Sequence, residues 1–144
     1  MTDVKKLVLK NYLLIPLANL LARQELKSNM SRARSRFIKT LAVRIEANEA
    51  ARMEMIDKYV MKDEDGKPKT VNGNFDLGEN QKAFNEEHVA FKKEDTVFDV
   101  LPSNEKDFEL VGGIIRNTEE KFSSNSSPDF NEFEEIYEAF ELIK

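Results

Sequence analysis

The sequence predicts a single domain of the α+β class, residues 1–144, that is mainly helical. About five helices are expected around one long helix (31–60), together with a small sheet of two or three strands. The first observation is the stretch Ser31–Val60, thirty residues that contain neither glycine nor proline and are rich in good helix formers. The second is that four amphipathic helical segments accompany only two convincing strands. A chain of 144 residues, 40% of them hydrophobic, is long enough to bury a sizeable core.

The N-terminal part of the chain reads as a strand followed by a short apolar helix. Val4–Lys10 mixes β-branched and basic residues, which is typical of an edge strand that lysine protects from further pairing. Tyr12–Arg23 is apolar nearly all round and predicts a buried helix, although Pro16 would bend a helix that begins at Tyr12. Glu25–Asn29 connects this helix to the long one.

The long helix has an apolar side and a basic side. Its predicted N-cap is Ser31 or Ser28, because a short hydroxyl accepts a first-turn N–H. At about 100° per residue, the apolar residues share one arc that should pack on the rest of the chain: Phe37, Ile38, Leu41, Ala42, Ile45, Ile56, Tyr59 and Val60. Arg32, Arg36 and Lys39 follow one another at i, i+4 and i+7 on the opposite side.

The second half of the chain alternates turns with shorter elements. In order, we predict a charged turn at Met61–Lys69, a short strand at Lys69–Asn72, a loop at Gly73–Gly78, a helix at Gln81–Lys93, a strand at Thr96–Leu101, a helix at Ser103–Phe122, a flexible connector at Ser123–Pro128 and a helix at Asp129–Ile143. The strands Val4–Leu9 and Val97–Leu101 are expected to form the small sheet. The pair Gly112-Gly113 predicts either a local helix break or a close helix crossing, and both stay open. The last helix sets six apolar residues against a glutamate face: Phe130, Phe133, Ile136, Tyr137, Phe140 and Ile143.

Composition and charge exclude several kinds of protein. The chain has no cysteine, which excludes disulfides, thiolate metal ligands and cysteine nucleophiles. No apolar run reaches the length of a membrane span and no signal peptide is seen, so a soluble cytoplasmic protein is expected. The net charge of −5 combines +6 in residues 1–60 with −11 in residues 61–144. This asymmetry indicates either a basic contact face or attraction between the two halves.

No constellation of residues predicts catalysis, a cofactor or a metal. His88 is the only histidine and lies on an apolar helix side between two phenylalanines, so a packing role is predicted for it. An EF-hand alignment that puts Gly66 at the sixth position puts Met61 at the first and Asn72 at the twelfth, which excludes a calcium loop. Glycine-rich phosphate loops and the nucleophile-elbow motif do not occur in the sequence. The prediction is a protein that is not an enzyme.

Five cations crowd the start of the long helix: Lys27, Arg32, Arg34, Arg36 and Lys39. The helix macrodipole disfavours each positive charge there by about 0.3–1 kcal/mol. Three explanations stay open, namely ion pairs with the acidic half, a protein partner, or nucleic acid, which the lack of interleaved aromatic residues disfavours. Lys27, Arg32, Arg36 and Lys39 are predicted to bind a partner. Arg34 and Arg52 project into the apolar arc, so structural ion pairs are predicted for both.

Three segments carry a resemblance to a known family. They are Leu26-Lys27-x-x-x-Ser31-Arg32-x-Arg34-x-Arg36-Phe37, Tyr59-x-x-Lys62-Asp63-Glu64-Asp65-Gly66-Lys67-Pro68 and Ala139-Phe140-Glu141. The chain resembles small uncharacterised proteins encoded by tailed phages and prophages of Gram-positive bacteria, although it has Ser28-Asn29-Met30 where they usually carry a glycine-lysine pair. The resemblance implies phage origin and a cytoplasmic accessory or virion-associated role, and it transfers no catalytic residue.

The expected function is therefore protein binding by a phage accessory protein without enzyme activity. Its partner would be a host defence or replication factor, which the protein inhibits or redirects. The alternative partner is the phage tail or capsid, in which case the protein is an assembly factor or a minor virion component. Weak nucleic-acid binding is a further alternative, disfavoured because the acidic half would repel a duplex. No membrane partner is expected, and the oligomeric state stays open.

Overall fold

The computed structural model describes residues 4–143. These residues form five α-helices and four β-strands. In chain order they are β1 (Lys5–Lys10), α1 (Leu14–Ala22), α2 (Ser28–Tyr59), β2 (Thr70–Val71), β3 (Asn74–Phe75), α3 (Gln81–Lys92), β4 (Asp95–Val100), α4 (Glu105–Asn117) and α5 (Phe130–Glu141). The strands form two antiparallel pairs, β1 with β4 and β2 with β3. The predicted α+β class, with one long helix and a small sheet, is confirmed.

The chain divides into two compact units, which we describe separately. Unit 1 comprises Met1–Ile45 and Asp95–Lys144, and unit 2 comprises Glu46–Glu94. Helix α2 therefore contributes its residues up to Ile45 to unit 1 and the remainder to unit 2. A single domain over residues 1–144 stays a prediction.

The sheet of unit 1 pairs the two strands that the sequence predicts. Burial alternates along β1 and β4, with Leu7 opposite Phe98 on the buried side. On the exposed side Lys10 lies opposite Asp95, and its Nζ is 2.6 Å from the Asp95 Oδ1. This alternation is that of an antiparallel sheet with one face on the core, and opposite charges across the strands support the register.

The core of unit 1 gathers apolar side chains from both strands and from α1, α2, α4 and α5. Its buried members are Leu7, Leu9, Leu13, Leu14, Leu17, Leu20, Leu21, Phe37, Leu41, Phe98, Val100, Phe108, Val111, Ile114, Ile115, Ile136 and Phe140. From the predicted apolar arc of the long helix, Phe37 and Leu41 are buried here, and Ile38 and Ile45 pack against them. Burial of this apolar surface is the main stabilising contribution to the unit.

Unit 2 has a smaller core of its own. Ile56 and Val60, at the end of α2 and just beyond it, are buried with Leu77 and Phe84, and Tyr59 packs against this cluster. The C-terminal part of the predicted apolar arc is therefore also on the buried side of its helix.

A β-hairpin in unit 2 contains the strand predicted at Lys69–Asn72, seen as β2, and adds a second strand, β3, within the segment predicted as a loop. Asn72 and Gly73 connect β2 to β3, and their φ angles are 54° and 81°. Two successive positive φ values are those of a type I′ turn, which asparagine and glycine adopt at low cost. The Asn-Gly pair was the sequence signal for this hairpin.

Helix α1 begins two residues later than predicted, at Leu14, after a single 3-10 turn at Asn11–Leu13. Pro16 consequently lies in the first turn, where its missing N–H needs no helical partner. The proline is thus compatible with a helix that starts at Leu14. A helix that started at Tyr12 would have been bent by it.

The long helix begins three residues earlier than predicted. Its first residue is Ser28, and the N–H of Ser31 already donates to the carbonyl of Lys27 at 2.8 Å. Ser31 is therefore inside the helix and is not its cap.

The helix predicted at Ser103–Phe122 is shorter at both ends, since α4 covers Glu105–Asn117 and the extended backbone of Thr118 ends it.

Helix α5 has a local start signal that the structure uses. The N–H of Asp129 donates to Glu132 Oε1 at 2.9 Å, and the N–H of Glu132 donates to Asp129 Oδ1 at 2.8 Å. This reciprocal pair is a capping box. Ile136 is buried as predicted, whereas Phe130 is exposed, because it lies about 120° around the helix from Ile136.

The two adjacent glycines of α4 have different surroundings. Helix α4 runs through both without a break, which excludes the predicted alternative of a local break. Gly112 is buried, and a Cβ there would lie 3.6 Å from Phe140 of α5 and 3.2 Å from the Arg116 guanidinium. A Cβ on Gly113 would have nothing within 4 Å. Glycine inside a helix costs about 1 kcal/mol relative to alanine, and only at Gly112 would a side chain meet neighbours, namely Phe140 at ordinary contact distance and the flexible end of Arg116.

The segment Ser123–Pro128, predicted as a flexible connector, is bonded to α1. Asn19 Nδ2 donates to Ser127 Oγ at 2.9 Å, and Arg23 Nη1 donates to the Ser127 carbonyl at 2.7 Å. Pro128 is fully buried. The connector is therefore part of the packed structure of unit 1.

Candidate protein-binding surface

The four residues predicted to bind a partner lie at the start of α2 and are all exposed. Lys27 immediately precedes the helix, and Arg32, Arg36 and Lys39 lie within its first three to four turns. The i, i+4 and i+7 spacing of Arg32, Arg36 and Lys39 places these three on one side of the helix, away from the buried Phe37. The structure nevertheless gives the four side chains different surroundings.

Arg36 is held by its own chain. Its Nε donates to Asp107 Oδ2 at 2.8 Å, and its Nη2 donates to Asp107 Oδ1 at 2.7 Å. These hydrogen bonds hold the pKa of Asp107 below its ordinary value, because they favour the carboxylate. The two residues are 71 positions apart, so no local pattern in the sequence indicated the pair. Three explanations for the clustered cations were left open. At Arg36 the structure shows the first of them, an ion pair within the chain.

Three of the four predicted binding residues keep unpaired side chains within the described part of the chain. The side chains of Lys27, Arg32 and Lys39 form no hydrogen bond or ion pair with any residue from 4 to 143. We call these three residues the basic patch. The patch carries three positive charges, and the helix dipole opposes the one at Lys27, next to the first residue of α2.

Arg34 has a structural role, but its partners are carbonyls and not the predicted carboxylate. Its Nη1 donates to the carbonyl of Leu21 at 3.1 Å and also to the carbonyl of Gln24, and its Nη2 lies 3.2 Å from Ser31 Oγ. The last carbonyls of a helix have no helical N–H partner. The guanidinium supplies donors to this end of α1, which explains how a half-buried cation is tolerated without an anion.

Arg52 forms an ion pair, but with a neighbour on the same helix. Its Nη2 is 2.8 Å from Glu49 Oε1, three residues earlier, and its Nε donates to Glu49 Oε2 at 3.0 Å. The partner of Arg52 is therefore an anion on the same helix. Residues at i and i+3 of a helix meet on its surface, which makes this partner the nearest available anion.

The only histidine packs against an aromatic ring, as its sequence context indicates. The His88 ring stacks on Phe84 with centroids 5.4 Å apart and an interplanar angle of 22°. Burial lowers the pKa of His88 below its ordinary value, and the positive charges of Lys92 and Arg52 lower it further. Together these effects outweigh the opposing negative charge of Glu49 and disfavour the imidazolium form.

We predict that His88 titrates below the ordinary histidine pKa of about 6.5. The unfolded chain then takes up the proton more readily than the folded one, so this residue makes folding stability fall as the pH drops below that value. The Cε1–H chemical shift measured by NMR against pH reports the pKa directly, since the chain contains one histidine. A midpoint at or above that of the urea-unfolded protein would contradict the packing described here.

The described part of the chain shows neither a metal-binding cluster nor a membrane-spanning helix. Residues 4–143 contain no group of three or more histidine, cysteine or acidic side chains placed to hold a metal ion. In the charged turn, Asp63 Oδ1 instead accepts the backbone N–H groups of Asp65 and Lys67, each at 2.9 Å. None of the helices within those residues is long and apolar enough to cross a membrane.

Comparison with known proteins gives no match: no protein-family model, no curated protein and no solved structure is similar to this chain.

Proposed function

We propose that this protein is a phage accessory protein without enzyme activity, which acts by binding an acidic surface of another protein through the basic patch. The observation that carries the proposal is the difference among the clustered cations. Arg34 and Arg36 have partners in their own chain, whereas Lys27, Arg32 and Lys39 have none among residues 4–143.

The physical support is electrostatic. Lys27 lies at the positive end of the α2 dipole, so an acidic partner would offset an unfavourable interaction there as well as pair with the three cations. Two members of the patch lie on a formed helix, which loses little conformational entropy on binding. A positive patch on a chain of net charge −5 also steers acidic partners to one place.

Two kinds of partner follow from the resemblance to phage proteins. One is a host defence or replication factor that is inhibited or redirected in the cytoplasm. The other is the phage tail or capsid, where the protein would serve in assembly or as a minor virion component. Mass spectrometry of purified virions distinguishes the two, because stoichiometric copies in the particle support the second and exclude the first as the main role.

The test of the proposal is a charge reversal of the basic patch. The variant Lys27→Glu/Arg32→Glu/Lys39→Glu should lose the protein that the wild-type chain captures from an infected-cell lysate, and capture should weaken with rising salt. Loss of fold would not explain such a result, because acidic residues near a helix N-terminus favour the dipole and should preserve the melting temperature.

The matched control reverses three exposed lysines elsewhere, Lys67, Lys82 and Lys93, to give the same net charge. It should capture the same protein as the wild type. Equal capture by the patch variant and the control would overturn the proposal, as would catalytic turnover of a nucleotide or nucleic acid that Arg32→Ala abolishes.

A further inference from the structure

Unit 1 contains a groove of about 580 Å³ between the segment that joins α1 to α2 and the C-terminal half of α4. Its apolar lining comes from Leu26, Met30 and Ile114. Ile114 is buried and the other two are half-buried, so the groove reaches the edge of the hydrophobic core. The methionine side chain is flexible and adapts to differently shaped apolar partners.

Acidic side chains surround this apolar lining. Glu120 is already engaged, since Arg23 Nη2 is 2.8 Å from its Oε2. Glu25 and Glu119 are exposed, and their side chains have no hydrogen-bond or ion-pair partner within residues 4–143. An apolar groove with two unpaired carboxylates is complementary to a segment that carries apolar and basic side chains together.

The groove also contains Gly113, the glycine that the fold of the monomer does not require. A Cβ at this position would meet no atom within 4 Å, so packing within the chain does not explain the absence of a side chain. What the missing side chain does provide is open access to the backbone of α4 inside the groove. Glycine at such a position lets a second backbone approach closely.

We propose that this groove binds a basic amphipathic helix of a partner protein. Apolar side chains of that helix would lie on Leu26, Met30 and Ile114, and its lysines or arginines would pair with Glu25 and Glu119. A helix is the occupant that an apolar groove beside α4 with a half-buried glycine favours, because amphipathic helices dock their apolar faces into such grooves.

The groove lies away from Arg32 and Lys39 of the basic patch and is of opposite charge, whereas Lys27 directly follows Leu26 in the chain. Met30 and Arg32 lie on opposite sides of α2, because two residues turn a helix by about 200°. The inference therefore goes beyond the proposed function and gives the protein a second binding surface. A protein with one basic and one acidic surface would connect two different partners.

The experiment uses a synthetic leucine–lysine amphipathic peptide of about 18 residues, or five helical turns, and a leucine–glutamate peptide of equal length. Isothermal titration calorimetry of the full chain should show saturable binding of the basic peptide only. Gly113→Leu, which fills the groove, should weaken that binding at least about tenfold. Glu25→Lys/Glu119→Lys should weaken it similarly without changing the apolar lining.

The controls separate the groove from other causes. Ala83→Leu adds the same side chain to an exposed site on α3 and should leave the affinity unchanged. Gly113→Ala should raise the melting temperature, which would show that the position tolerates a side chain. The Arg32→Glu/Lys39→Glu variant should still bind the peptide, so the two proposals fail independently.

Wild-type affinity in both Gly113→Leu and Glu25→Lys/Glu119→Lys would overturn the inference. Equal binding of the leucine–glutamate peptide would overturn it as well, because apolar contact alone would then suffice. A third contrary result is self-association in sedimentation that Gly113→Leu abolishes, since the groove would then hold a second copy of this chain.

Discussion

Phe37→Ala should lower the free energy of unfolding by about 3–5 kcal/mol, the cost typical of removing a large aromatic side chain from a core. Phe37 is 3% exposed, and its ring lies 6.3, 5.4 and 6.0 Å from the rings of Phe98, Phe108 and Phe140, measured between centroids. These partners come from β4, α4 and α5, so one substitution weakens the contact of α2 with three other elements. Urea unfolding followed by circular dichroism at 222 nm measures the change.

The matched control for this prediction is Val43→Ala on the same helix. Val43 is 65% exposed, so its truncation should change the free energy of unfolding by less than about 0.5 kcal/mol. Because small domains are stable by only about 5–15 kcal/mol, the Phe37 variant should unfold at a clearly lower urea concentration. Equal midpoints for the two variants would show that Phe37 is not at the centre of the core.

Arg34→Ala should lower the free energy of unfolding by about 2–3 kcal/mol, because it removes charged hydrogen bonds and leaves the Gln24 carbonyl without a donor among residues 4–143, whereas the Leu21 carbonyl keeps the N–H of Gln24 at 3.3 Å. The carbonyls concerned belong to Leu21 and Gln24, at the end of α1 and just beyond it. Arg34→Lys should restore part of the loss, since one ammonium group cannot reproduce the two-pronged geometry of a guanidinium. Thermal and urea unfolding of the three proteins measure the order.

The matched control here is Arg32→Ala, two positions away on the exposed side of α2. Its side chain has no partner among residues 4–143, so its removal should change the free energy of unfolding by less than about 0.5 kcal/mol. If Arg32→Ala and Arg34→Ala unfolded at the same urea concentration, the carbonyl-binding role of Arg34 would be wrong.

The sequence by itself determined which segments form helices and strands, and which side of each helix is buried. The 3.6-residue spacing of apolar side chains identified α2, α3 and α5, and two short alternating stretches identified β1 and β4. These features are local, because helix and strand periodicity depend on residues within a few turns or pleats. The sequence also contains a local signal for the β2–β3 hairpin, the pair Asn72-Gly73. The prediction of a loop after Asn72 did not use this signal, although the information was present.

Only the tertiary structure decided which of two similar residues contacts another element of the chain. Arg32 and Arg36 are one helical turn apart and equivalent in the sequence, yet Arg36 is bonded to Asp107 on α4 and Arg32 is unpaired among residues 4–143. Gly112 and Gly113 are adjacent, yet only Gly112 faces Phe140 of α5. In both pairs the deciding contact comes from a residue distant in the chain. The position of such a residue depends on how whole elements pack, which local spacing does not encode.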